Sequence, residues 1–444
     1  GIRGVSTSTV EAATSMAASR SQLLRKVQLP MARRTIVLGV NQTMMMALSM
    51  VVITALINTP GLGPAIVKAL QAINVGRAFD PGVAIVIMAI VLDRLTSAAS
   101  ERVDLRDAGG PAARFSRRAI VLGAIAVTVG AALLGSFVLG GSDFPDAVRI
   151  SFADPVNAIT KWVELNLVGL TSALKNVVTY GLVNPLQDVL TSAPWWLVAI
   201  FGVGVAFIVS GVRPAVTAAI CLLAIAGLQL WQHGMETLAT VLVGTAITLA
   251  LGVLFGILSA RSNRFARFLR PLLDAAQTMP SFVYLLPALA LFGATRFTAI
   301  VAAVIYAAPP VIRLVEDGIR GVPPTVIEAA TSAGTTERQL LWKVQLPMAR
   351  RSLLLAANQG IVLVLAMVVV GGLVGAGGLG YDVVAGFSQV EDFGKGLAAG
   401  VAIVLLGVML DRITQGAGGR PTGPGRPVAI VPPGTTVQAG VEKP

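Results

Sequence analysis

Residues 11–34 read EAATSMAASRSQLLRKVQLPMARR, and residues 328–351 read EAATSAGTTERQLLWKVQLPMARR. The two blocks agree over EAATS, QLL and KVQLPMARR, so one polar, basic passage is spelled twice. Around it the chain is mostly apolar: of 444 residues, 55% are hydrophobic and 13% charged, against roughly 25% charged in soluble domains. Apolar runs near the length that spans about 30 Å of hydrocarbon recur at roughly 36–58, 80–98, 118–140, 194–212, 214–232, 237–259, 280–294, 297–314, 353–375 and 396–413. This pattern reads as an all-α polytopic transmembrane bundle. The run 280–294 is short and bounded by Pro280 and Pro287, which fits a broken or re-entrant helix.

The formal net charge is +12. In a soluble chain that would point to nucleic acid. Here the Arg residues cluster between apolar runs, where loop charge sets membrane orientation, so the expected charged partner is the lipid bilayer and no nucleic acid. One cysteine (Cys221) and one histidine (His233) cannot build a disulfide or a zinc site, and no metal or cofactor is expected. Cys221 lies in AAICLLAIAG as a lipid- or helix-facing thiol. His233 lies in the polar break QHGME and reads as a loop residue rather than a proton relay.

Placing the five-Arg stretch 99–118 in the cytoplasm tests the segment list. Counting crossings from there puts 141–193 outside, Arg213 inside, His233 outside and the four-Arg loop 260–270 inside. The block 328–351 and the tail with Arg412, Arg420 and Arg426 also fall inside. Every Arg-rich station lands on one side, as the positive-inside rule requires. A multi-pass protein of the inner or plasma membrane is expected, with both chain ends cytoplasmic.

The repeat extends beyond the block. GIRGV at 1–5 recurs at 318–322, Asn41-Gln42 as Asn358-Gln359, and Gly61-Leu62-Gly63 as Gly378-Leu379-Gly380; GVAIV at 82–86 recurs at 400–404. A period near 317 is far too long for a solenoid and marks a duplicated domain, of which residues 1–98 repeat only the last third. The chain opens without an initiator Met or a signal peptide and reads as the interior of a longer protein.

Within the block, EAATSAG favours a helix that ends at Gly334 in a left-handed cap. Thr335 or Thr336 can then cap a second helix, with Leu340, Leu341 and Val344 on one face, and Pro347 is expected to end it. Such a helix–turn–helix outside the bilayer suits two roles. It could seat its small residues in a groove on a partner, or rest on lipid headgroups.

The spacing Glu328-Ala329-Ala330, then Gly334, Val344 and Leu346-Pro347 resembles the EAA loop of ABC-importer permeases. In that family the loop is the coupling helix that docks into a cleft on a cytoplasmic ATPase. The resemblance therefore implies coupling residues at Glu328, Ala329, Ala330, Gly334, Leu346 and Pro347, and in the first copy at Glu11, Ala12, Ala13, Ala17, Leu29 and Pro30. Ala17 stands where the family has Gly, a departure that bears on the geometry of its turn.

Residues 235–293, with APPVIRL (308–314), NQTMMMALSMVVI (41–53) and GAGGLG (375–380), resemble the glycine betaine/proline type of permease. That resemblance implies a type I, MetI-like fold with one complete and one partial copy. It further implies uptake of a small solute from an extracytoplasmic substrate-binding protein, driven by two ABC ATPase subunits at the cytoplasmic face. On this reading residues 1–98 are the C-terminal part of a first permease domain, with its coupling loop and two transmembrane helices. Residues 99–117 are a cytoplasmic linker. Residues 118–415 are a second permease domain of about eight transmembrane segments, with an external segment 141–193 and a coupling loop 316–351. Residues 416–444 are a disordered cytoplasmic tail.

No G-x-x-x-x-G-K-[ST] phosphate loop occurs, so ATP hydrolysis is assigned to a partner, and no catalytic set of residues argues for an enzyme. The Gly-rich 371–380 reads as close helix packing plus an external turn. Aromatic faces suit a methylated cation, which makes Phe282, Tyr284 and Tyr306 path candidates, with Gln277, Thr278, Ser281, Asn358 and Gln359 as polar help; packing between helices is the competing role for these aromatics. Choline, carnitine or another solute, an inactive membrane scaffold, and an ATP-independent secondary transporter are the rival readings.

Overall fold

The structure, a computed structural model, describes residues 5–55, 59–107, 122–123, 125–127, 129–130 and 151–418. The expected linker beyond 107, most of the run 118–140, residues 141–150 of the expected external segment and the expected tail from 419 lie outside the described residues. All regular structure among the described residues is helical. That is how a chain of apolar runs satisfies its backbone where no water is available.

The first copy comprises α1 (Thr7–Ser15), α2 (Arg20–Gln22), α3 (Leu29–Thr54), α4 (Gly63–Gln71) and α5 (Val75–Asp107), with a wide π turn over Leu23–Gln28. Three amphipathic helices follow: α6 (Ala153–Asn166), α7 (Val168–Val178) and α8 (Asn184–Ser192). The bundle of the second copy then contains α9 (Trp195–Ser210), α10 (Val212–Gly227), α11 (Trp231–Arg261), α12 (Asn263–Thr278), α13 (Leu285–Phe292) and α14 (Arg296–Arg320). Its EAATS…KVQLPMARR block holds α15 (Pro324–Ser332), α16 (Glu337–Gln339) and α17 (Leu346–Met348). It closes with α18 (Arg350–Gly371), α19 (Gly378–Ser388) and α20 (Phe393–Ala417).

Among the described residues five helices are long and apolar enough to cross a bilayer: α5 over Val75–Thr96, α11, α14, α18 extended to Val374, and α20. Helices α9 and α10 add two shorter apolar pieces that turn on Gly211, whose φ of 84 only glycine adopts readily. The run 280–294 is a broken segment. After Pro280 it makes a short 3-10 turn over Ser281–Tyr284 and continues as α13, bent by 115° from α12.

Helices α11, α14 and α18 form the centre of the second copy. Close approach there depends on glycine: a Cβ at Gly252 would lie 2.3 Å from Val311 and one at Gly256 2.6 Å from Val315. Small residues at such crossings let dispersion contacts act where lipid offers no hydrophobic drive. Gly371 does the same against Ala299, while Gly375, Gly377 and Gly378 take positive φ in the turn that follows. The Gly-rich stretch is therefore both packing surface and turn.

The first copy leans on the second at several places. A Cβ at Gly82 would lie 3.1 Å from Leu286, and α4 approaches the 3-10 turn Gly372–Val374. It is also tied to α6. Asp80 accepts from the Ser151 hydroxyl at 2.6 Å and the Phe152 amide at 2.8 Å, and the Gly76 amide donates to Asn157 at 3.0 Å.

Candidate coupling surface and path segment

In the second copy, α15 ends in two backbone bonds: Gly334 N–H to Thr331 and Thr335 N–H to Ala330, with Gly334 at φ 77. This is the Schellman arrangement, which satisfies carbonyls a helix end leaves free. Thr336, not Thr335, caps α16. Its hydroxyl accepts from the Gln339 amide at 3.3 Å, and the Gln339 side chain accepts from the Thr336 amide at 2.9 Å. That reciprocal pair is a capping box.

The first copy repeats both devices. Ala17 N–H reaches Thr14, Ala18 N–H reaches Ala13, and Ser19 forms the capping box with Gln22. Ala17 takes φ 57, so alanine holds the conformation that glycine holds in the second copy. The departure leaves the turn intact and adds conformational strain, since a Cβ disfavours the left-handed region.

Pro347 does not end the second helix. The chain widens into a π turn over Leu340–Gln345 and continues through α17, where Pro347 occupies a first-turn position. A proline needs no amide partner there, and the wider turn brings the chain to it without a break.

The loop has an outer and an inner side. Glu328, Ala329, Gly334 and Pro347 are exposed, and Ala330 and Leu346 are half-buried; Glu11, Ala12, Ala17, Leu29 and Pro30 are exposed and Ala13 is half-buried. On the inner side Leu341 and Ala349 are buried with Val311, Val315 and Ile319 of α14, and Leu346 packs against them. The inner side of the loop is therefore packed directly on α14. Arg261 at the end of α11 adds an ion pair to Glu337 at 2.5 Å.

Beneath the loop, Glu316 is buried and accepts from two arginines, Arg270 of α12 and Arg320, each at 3.0 Å. A buried carboxylate is tolerated when its charge and lone pairs are met in this way. Arg320 also donates to the Ser259 carbonyl at 2.7 Å, and Arg313 pairs with Asp274. Glu316 was not among the residues singled out from sequence; the available signal was a carboxylate one turn before Arg320 at the end of an apolar run.

The path candidates separate into groups. Ser281, Phe282 and Tyr284 sit on the break before α13 and are buried. Tyr284 donates its hydroxyl to the Ala276 carbonyl, and its ring lies 5.7 Å from that of Tyr306 on α14. Gln277 is exposed at the end of α12, and the Thr278 side chain is not among those described. Asn358 donates to Asp411 at 3.0 Å and accepts from Thr414 at 2.6 Å, joining α18 to the end of α20. Gln359 is exposed.

At the opposite end of the bundle lies a polar cluster that sequence reasoning missed. His233 is not in a loop: it is the third residue of α11, and its Nδ1 pairs with Asp382, which is buried and also meets Lys395 at 3.0 Å. Arg296 donates to the Ala376 carbonyl at 3.2 Å and to Gln187, and lies 3.7 Å from Glu236. Cys221 is buried, so its thiol faces helices.

Residues 1–106 and 252–416 match the family described as Binding-protein-dependent transport system inner membrane component. The chain belongs to this family. Its all-α, polytopic permease class follows from that membership and from the helices described above. The trimethylamine N-oxide transport system permease protein TmoV of Ruegeria pomeroyi is 33% identical over 93% of this chain and 63% of its own length. The glycine betaine/carnitine transport permease protein GbuB of Listeria monocytogenes is 40% identical over 59% of this chain and 95% of its own length. The glycine betaine/proline betaine transport system permease protein ProW of Escherichia coli is 39% identical over 58% of this chain and 72% of its own length. The chain spans less than two thirds of the length of the TmoV relatives it matches.

Proposed function

We propose that the chain is a permease component of an ATP-driven importer that moves glycine betaine, proline or a related compatible solute into the cell. The observation that carries this reading is the doubled loop. Two EAA blocks fold into the same capped turn, each with its Glu-Ala face exposed. A pair of identical seats fits two ATPase subunits on the cytoplasmic face, with a substrate-binding protein delivering solute from the other side. The domain division and the cytoplasmic placement of both chain ends belong to the same reading, supported by the Arg-rich stations on one side. The path runs past the break before α13, where Tyr284 and Tyr306 offer π faces to a methylated ammonium, with Ser281, Gln277 and Thr278 as polar neighbours.

A second substrate, trimethylamine N-oxide, is favoured by the TmoV relative, whose similarity runs through both copies over 93% of the chain. The two substrates share a methylated nitrogen and differ in their anionic end. Competition in cells carrying the transporter separates them: excess glycine betaine and proline should each reduce uptake of labelled glycine betaine. Failure of both to compete would remove the first assignment. Uptake of labelled trimethylamine N-oxide that glycine betaine leaves untouched would establish the second.

Replacing Glu328 and Gly334 with bulky residues tests the coupling role. Transport and ATPase association should be lost while membrane insertion is retained; normal transport would refute the assignment.

A further inference from the structure

Helices α6, α7 and α8 have two sides with different surroundings. Their inner side is held by protein. Asn157 accepts the Gly76 amide, and Asp80 accepts from Ser151 and Phe152. Val178 and Val183 are buried with Phe297, Ile300 and Val304, and Gln187 accepts from Arg296.

The outer side is bare and apolar. Ile159 and Trp162 lie three residues apart, which places them in a single stripe along α6, and both are exposed. Leu165, 80% exposed, borders that stripe. On α7 the spacing i, i+4, i+7 puts Leu170, Leu174 and Val177 in a second stripe, again exposed. The charged residues Lys161 and Glu164 are exposed as well, and Glu164 falls across the helix from Ile159. An apolar stripe of this length facing water is unfavourable, and a stripe beside charge is the signature of a helix lying in a membrane interface.

The direction of the chain agrees with that placement. Between Val168–Ser192 and Trp195–Ser210 it bends by 114°, so α7 and α8 run nearly across the axis of the helix that follows. Trp195 and Trp196, both exposed, stand where that helix begins, and tryptophan pairs of this kind favour the headgroup level. Three apolar helices, α9, α10 and α11, then separate this end from Arg261 and the coupling loop.

We propose that residues 151–192 form an interfacial strap on the membrane surface opposite the coupling loops, with the Ile159–Trp162 and Leu170–Leu174–Val177 stripes sunk into the headgroup–acyl boundary of the bilayer. The lipid surface is the occupant because the stripes lead toward the exposed Trp195–Trp196 pair and are flanked by exposed charge. The strap thereby joins the two copies. It grips Asp80 and Gly76 of the first and Phe297 and Arg296 of the second while its outer face rests on lipid.

Spin labels on the whole chain in liposomes test this. In a Cys221→Ser background, Ile159→Cys and Glu164→Cys are labelled singly, and collision with oxygen is compared with collision with a water-soluble nickel chelate. The label at 159 should favour oxygen over nickel several-fold, at a depth just below the phosphates, while the label at 164 should favour nickel. Leu174→Cys and Asn176→Cys repeat the comparison on α7, so that one failed variant leaves the test intact. Equal nickel access at 159 and 164 would overturn the proposal by showing a water-facing surface. Protection of 159 from both agents would overturn it in favour of a protein occupant, whether a second copy or another segment.

Discussion

Met50 and Met367 hold the same place in the two copies, yet Met50 is 50% exposed and Met367 is 0% exposed. The pattern repeats along the last helix of each copy. Met88 is 41% exposed where its counterpart Leu406 is fully buried, and Val91 is 48% exposed where Met409 is 5% exposed. Nearly the same side chains therefore face helices in one copy and lie on the surface in the other. The lesson concerns what apolar patterning specifies in a membrane: lipid tails are as apolar as leucine, so the pattern defines a span without defining which face meets protein. In the second copy that face meets α11, α14 and α20 through shape, with glycines admitting valines at Gly252 and Gly256.

The sharpest way to break this comparison is to cut the paired methionines. Met367→Ala should lower stability by about 2–5 kcal/mol through lost contacts and a residual cavity. Met50→Ala should cost well under about 1 kcal/mol, as surface substitutions usually do. Thermal unfolding of the purified protein in detergent reads both, and equal losses would show that the first copy's face is covered by protein. A second, smaller contrast lies at Gly372, whose counterpart is Ala55. A Cβ at Gly372 would lie 2.3 Å from the Gly380 carbonyl oxygen, a backbone atom that cannot rotate away. Gly372→Ala should cost about 1–3 kcal/mol by overpacking, while Ala55→Gly should change the same melting curve by less than half as much.

Five of the expected spans, the break near Pro280 and the left-handed turn at Gly334 are legible in the sequence, because each depends on local rules of length, proline and φ. What was not legible depends on partners distant along the chain. His233 reads as a loop residue until Asp382, 149 positions away, is seen to pair with it. The burial of Glu316 rests on Arg270, which only the packing of α12 brings over it. Asn358 was chosen for the path, and its bonds to Asp411 and Thr414 appear only when α18 and α20 are side by side. Pro347 differs for another reason: a π turn over Leu340–Gln345 brings the chain to it, and it sits in the first turn of α17 rather than at a helix end.

The two coupling loops offer the finer contrasts. Gly334 at φ 77 faces open space, so Gly334→Ala adds no clash and its cost is conformational alone. That cost should be about 1 kcal/mol, and Ala17→Gly should return a similar amount to the first loop. Amide hydrogen exchange across 324–345 and 7–28 reads each loop separately; unequal shifts would mean that the loops differ in more than this residue.

The smallest expected effect is at Glu337, whose counterpart in the first copy is Arg20. Glu337 pairs with Arg261 at 2.5 Å, but the carboxylate is 88% exposed, so water and salt screen most of the attraction. Glu337→Ala should therefore shift exchange in the second loop by no more than about 0.5 kcal/mol, with the difference vanishing in high salt. The loop can spare this pair because its inner side is already fastened by Leu341 and Leu346 against α14. A loss above that size would mean the ion pair, rather than the apolar contact, holds the loop to the bundle, and the first copy, with Arg20 in that place, would then be the more loosely held of the two.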